Sequence, residues 1–147
     1  RGISKYYLDD YQEAIFDLNY RILTEPSDPN AYFYRGNCYF LLEQYEESIH
    51  DFDNAIELNP ENFQSYYFRG VSKMNLGDFQ GAIIDLNKLK EIDKDPQSVV
   101  FRVLGVCEFE LEKYENALEN FHKAIEKDED DEFSKRKYIE CLDILEN

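Results

Sequence analysis

The pair Arg1-Gly2 recurs as Arg35-Gly36 and Arg69-Gly70, 34 residues apart each time, and the register returns as Leu104-Gly105 after 35. Aromatic residues keep the same step at Tyr11, Tyr45, Phe79 and Tyr114, and small ones at Ala14, Ser48, Ala82 and Ala117. Bulky apolar residues follow at Leu18, Phe52, Leu86 and Phe121. Registers that advance together along the chain restrict it to a stack of one repeated unit. A unit this short cannot bury its own apolar face and must lay it against a neighbour.

Within a unit, residues 31–42 and 45–58 both carry apolar side chains at three- and four-residue intervals, which predicts two amphipathic helices and so a helical hairpin. Asp28-Pro29 and Asn59-Pro60 each offer a capping side chain followed by a residue that cannot continue the preceding helix, and they separate units. Gly77-Asp78 predicts the tight turn inside a hairpin. Gly36, Gly70 and Gly105 are expected where two helices cross too closely for a side chain, with Ser48, Ala82 and Ala117 small for the same reason.

On these residues the chain resembles the tetratricopeptide repeat family. Residues 29–62 fit best, with Tyr32, Gly36, Tyr39, Tyr45, Phe52, Ala55 and Pro60 in the family's registers. The resemblance implies an all-α fold, a right-handed superhelical solenoid of antiparallel helix pairs. Its units would be a partial first repeat over 1–28, a second over 29–62, a third over 63–97, a fourth over 98–131 and a closing helix over 132–147. In the closing helix Tyr138, Ile139, Leu142 and Leu145 are expected as the apolar stripe. The first unit lacks most of its leading helix, as a piece of a longer array would. The third unit departs from the pattern: Leu89 stands where Ala55 and Ala124 stand elsewhere, and its proline comes late, at Pro96, so a looser joint is expected after it.

The resemblance also places peptide binding on a concave face lined by the first helix of each unit. Here those registers hold Ile3 and Tyr6, then Phe33, Asn37 and Phe40, then Tyr67, Val71 and Met74, then Arg102, Val106 and Phe109. They describe an apolar, aromatic-rich groove with one arginine available for a carboxylate. Family members that grip the acidic tails of heat-shock chaperones use lysines, an arginine and asparagines. Of these only Asn37 is matched, and Phe33, Phe68, Val99 and Val103 occupy registers where that clamp needs polar groups. An amphipathic helix or apolar extended peptide is the expected ligand.

Charge narrows the partners further. With 32 acidic and 16 basic side chains the formal net charge is −16, which repels nucleic acid and anionic membrane surfaces. No apolar run approaches the roughly 18 residues that would cross a bilayer, and membrane insertion is not expected. Cys38, Cys107 and Cys141 share one register with Ser72, which reads as small residues in packed helices rather than a metal site or disulfide framework. Free cysteines fit an intracellular, cytoplasmic location. His50 and His122 have no nucleophile in a matching register, and the acidic run 128–132 lacks a calcium-loop pattern and reads as solvated linker. Arg35 with Asp51, Arg69 with Asp85, and Arg1 with Asp17 repeat one pairing that changes as a set to Leu104 and Asn120, which predicts an ion pair between helices. The chain is therefore expected to be a non-catalytic module without cofactor, binding another protein or peptide. Self-assembly, or a regulatory or substrate-presenting segment of a larger enzyme, are the alternatives.

Overall fold

A computed structural model of the protein describes residues 10–147. Among them there are eight α-helices and no strand: α1 (Tyr11–Thr24), α2 (Pro29–Leu41), α3 (Tyr45–Leu58), α4 (Phe63–Asn75), α5 (Phe79–Ile92), α6 (Ser98–Glu110), α7 (Tyr114–Lys127) and α8 (Glu132–Glu146). Each helix packs on the next, so α2–α3, α4–α5 and α6–α7 are hairpins and α8 closes on α7. The fold is an all-α solenoid of antiparallel helix pairs.

Helix starts follow local side-chain chemistry. Asp28 accepts the Asn30 N–H at 3.0 Å with Pro29 in the first turn, Asp78 accepts from Gly81 at 2.9 Å, and Asp131 from Ser134 at 3.0 Å. Asn59 does not cap the helix that follows it: its N–H donates to the Ala55 carbonyl and closes α3, while Asn62 caps α4 by accepting from Gln64 and Ser65. Inside the hairpins the turn needs one left-handed residue. Gly77 supplies it at φ +82°, but the same register holds Glu43 and Glu112 at φ 59° and 57°, a conformation that strains any residue with a Cβ.

The repeating core is built from two layers. Leu18, Phe52, Leu86 and Phe121 are at most 1 % exposed, and the last three lie under the first helix of their own hairpin. Cys38, Ser72, Cys107 and Cys141 are fully buried against the preceding hairpin, and Ser72 Oγ lies 3.1 Å from Ser48 Oγ. The glycines are not equivalent. A Cβ on Gly105 would sit 2.7–3.0 Å from the Phe121 ring, and one on Gly36 3.1–3.2 Å from Phe52 and Asp51. On Gly70 it would meet only ordinary contacts at 3.4 Å, because the residue beneath is Leu86 and not a phenylalanine.

The arginine–aspartate pairing is present. Arg35 Nε donates to Asp51 Oδ2 at 2.7 Å and its Nη2 to Oδ1 at 2.5 Å, while Nη1 reaches back one hairpin to Asn19 Oδ1 at 2.6 Å. Arg69 repeats this with Asp85 at 2.9 and 2.5 Å and with Asp53 of the preceding hairpin at 2.6 Å. Each guanidinium therefore ties two helices of one hairpin to the hairpin before it. The bonds to Asp51 hold the Arg35 guanidinium above its ordinary range. In the fourth hairpin Leu104 is buried, and the Asn120 amide donates to Glu108 at 2.7 Å instead. Burial pushes the Glu108 carboxyl up, opposed by that hydrogen bond. Arg1, the partner expected for Asp17, lies with Ile3 and Tyr6 outside the described residues.

Two expectations for the C-terminal end are corrected. The buried face of α8 is Ser134, half-buried Tyr138 and Cys141, with Leu142 of the expected stripe half-buried beside them, whereas Ile139 and Leu145 are 56 % and 40 % exposed. Small residues at the first and third of these positions let α8 approach α7 as its predecessors approach theirs. Asp131 is not solvated linker: it is 6 % exposed, binds the Ser134 N–H and hydroxyl, and lies 3.4 Å from Arg102.

Two stability predictions follow from this packing. Asp51→Asn leaves a half-buried guanidinium without its anion and should cost about 3 kcal/mol in urea unfolding. Arg35→Leu/Asp51→Asn, which copies the fourth hairpin, should recover part of that loss; an unchanged midpoint for the single variant would contradict the pairing. Gly105→Ala should destabilise by about 1–3 kcal/mol through overpacking. Gly70→Ala should be neutral or gain up to about 1 kcal/mol from helix propensity, giving opposite shifts in one urea titration.

Candidate protein-interaction groove

Among the first helices of the hairpins, α2 touches α4 and α4 touches α6, while successive second helices are not in comparable contact. A stack whose first helices lie closer than its second helices curves with the first helices inside. The described residues named from the sequence sit on the first helices of three successive hairpins, α2, α4 and α6, but they do different things there.

Phe33 and Asn37 are buried, at 8 % and 3 % exposed, so they form floor and offer no side chain to a partner. Phe33 lies under Phe68 of the next hairpin, ring centroids 6.2 Å apart, and against Phe52 at 6.0 Å. Phe40 is half-buried, edge-on to Phe68 at 5.4 Å and Tyr45 at 5.9 Å. Tyr67, Val71 and Met74 are half-buried against the Leu86–Leu89–Leu104 core. Burial raises the Tyr67 phenol, offset in part by Arg102. Val106 and Phe109 are half-buried on the Phe121–Cys141 core, and Lys137 of α8 caps the Phe109 ring at 4.2 Å. Arg102 already faces Asp131, which makes it a poorer anchor for an incoming carboxylate than the sequence suggests.

The feature missed by sequence reasoning is a hollow of about 420 Å³ beside Tyr67, where α4, the end of α5 and the start of α6 meet. Phe63, Phe68, Leu89, Val99 and Val100 supply its apolar walls, and Asp93 and Asp95 stand at its edge. It coincides with the joint after the third unit, where α5 and α6 touch less than the other helices that join successive hairpins. The extra residue before Pro96 and Leu89 in an alanine register were the available signals.

The remaining chemistry-bearing residues are separated. His50 hydrogen bonds to Asn54 on an exposed face, and His122 is exposed beside Glu126. Among the described residues there is no group of histidine, cysteine and acidic side chains that could hold a metal, and no helix long and apolar enough to cross a membrane.

This arrangement, hairpins of near-constant length with small residues in fixed packing registers, defines a helical-repeat solenoid. Tetratricopeptide repeat models match residues 29–62 and again 63–96, and the chain carries repeats of that type there. Solved structures agree on the fold. MamA superposes over 97 % of this chain and 82 % of its own with a TM-score of 0.91 at 16 % identity. The first repeat domain of Spaghetti (RPAP3), bound to the HSP90 peptide SRMEEVD, covers 81 % of this chain and 94 % of its own with a TM-score of 0.76 at 19 % identity. The repeat domain of Arabidopsis OM64 covers 77 % and 93 % with a TM-score of 0.73 at 24 % identity. No curated protein matches the chain by sequence.

Burial pushes the Cys38 and Cys107 thiols up to about 12 and raises that of Cys141, and all three are fully buried. A protonated, inaccessible thiol is a poor nucleophile. Iodoacetamide at mildly alkaline pH should leave all three unmodified in the folded protein and alkylate all three in denaturant, as read by intact mass.

Proposed function

We propose that the chain is a non-catalytic interaction module that holds an amphipathic helix or an apolar extended peptide along its inner wall. The observation that carries this reading is the recurrence of half-exposed apolar side chains on three successive first helices: Phe40 on α2, Tyr67, Val71 and Met74 on α4, and Val106 on α6. Apolar side chains left part-exposed on one face of an otherwise strongly charged protein are typical of an interaction site. Rigid helices present it without an ordering cost, so burial by a partner appears directly as affinity.

The preferred ligand differs from the acidic peptide seen on Spaghetti (RPAP3). The lysine over the wall, Lys137, is paired with Glu140, the arginine there faces Asp131, and the chain bears a net charge of −16, all of which oppose a carboxylate-rich segment. Cations would be drawn to the same surroundings.

A random twelve-residue phage-displayed library panned on the immobilised protein tests this. Enriched peptides should be rich in large apolar residues, and binding should fall by about tenfold or more on a Phe40→Ala/Val71→Glu variant that keeps its circular dichroism. SRMEEVD should not bind. Enriched peptides that bind the variant equally well, or tight binding of the acidic peptide, would overturn the groove reading.

A further inference from the structure

At the joint between the second and third units, Phe33 is shut in because Phe68 lies over it and stacks on Phe52 at 5.9 Å with only 16° between the rings. One unit on, Tyr67 stands in the register of Phe33, and the register of Phe68 holds Val103. A valine does not span the distance that a phenyl ring spans, so Tyr67 stays half-open. Leu89, in the register of Ala55, adds bulk between α5 and α6, and the inserted residue lengthens the connection. The hollow of about 420 Å³ opens at this joint.

We infer that the hollow receives one bulky apolar side chain of a bound peptide, which carries a lysine or arginine close beside it. This deepens the groove reading and rests on it, since Tyr67 belongs to both. The walls from Phe63, Phe68 and Val99 are apolar and the volume lies within the few hundred cubic ångströms of side-chain and ligand pockets. An incoming aromatic ring or leucine does for the third joint what Phe68 does for the second.

The basic neighbour follows from charge at the edge. The Asp95 carboxylate is paired with Lys127 at 2.5 Å, but Asp93 accepts the Asp95 N–H and makes no ion pair among the described residues. A carboxylate beside an apolar hollow on a chain of net charge −16 selects for a cation and against an acidic residue at that point of the peptide. A neutral or acidic ligand leaves Asp93 unpaired at the contact.

The probe is a fluorescein-labelled peptide copied from the phage selection, measured by anisotropy on the full chain. Selected sequences should share an aromatic residue or leucine within a few positions of lysine or arginine. Val99→Trp, which fills the hollow from its wall, should weaken binding by about tenfold, and Asp93→Lys by about fivefold with a shallower salt dependence. Replacing the peptide's aromatic residue by alanine should weaken binding to wild type and make no difference on Val99→Trp. Peptides that depend on Phe40 and Val71 yet bind Val99→Trp and Asp93→Lys as wild type would overturn the inference while leaving the groove intact. A selection yielding no peptide would overturn both. Since Val99 lies in the first turn of α6, a second filler, Gln64→Trp on α4, separates blockage from local unfolding.

Discussion

Everything in this solenoid depends on how closely the two helices of a hairpin approach. At Gly36 and Gly105 the ring of Phe52 or Phe121 lies only 2.7–3.2 Å from where a Cβ would be, so the helix axes are set by a ring resting on bare backbone. That spacing aligns the hydrogen-bonding ends of Arg35 and Asp51, and it brings the next first helix close enough for Cys38, Ser72 and Cys107 to be fully buried. Because each hairpin supplies only half of its own core, the spacing is handed from one unit to the next, and the curvature that makes an inner wall is its accumulated result.

The guanidinium ladder adds direction to this packing. Hydrophobic contact alone tolerates a slip of one hairpin along another. A bidentate pair that also reaches back to Asn19 or Asp53 is satisfied in only one register. The fourth unit shows what happens when the arginine is lost: Leu104 enters the core, Asn120 turns to Glu108, and the Asn120 carbonyl oxygen is left buried without a partner. There the fit depends on a Phe121–Gly105 contact tighter than in the other hairpins. Register is held electrostatically in the middle of the stack and sterically near its end.

The periodicity made the architecture legible, since hairpins, packing glycines and the paired charges are all one-dimensional signals repeated at a fixed step. Relations between units were harder to read. Phe33 and Tyr67 occupy the same register, yet one is floor and the other is surface, because the difference lies in residue 68 or 103 of the following unit. Likewise α8 looks apolar along Ile139 and Leu145, but its packing side was chosen by two small residues, Ser134 and Cys141, that hydropathy underrates. Asp131 sat in a run of acids and was read as solvent-facing, although a cap residue beside an interhelical arginine is drawn inward.

The strong acidity of the chain bears on recognition through distance. Most of its carboxylates are exposed and act on an approaching peptide only within a Debye length, roughly 8–10 Å at physiological salt, so they speed encounter with basic segments without choosing among them. Choice needs a charge whose neighbours fix its orientation. Asp93 has that position: its carboxylate is held by the Asp95 N–H at the end of α5, against an apolar hollow that excludes water once filled. A weak, general attraction thus becomes specific where the inner wall has a gap, and the gap exists because one joint in the stack breaks the repeat.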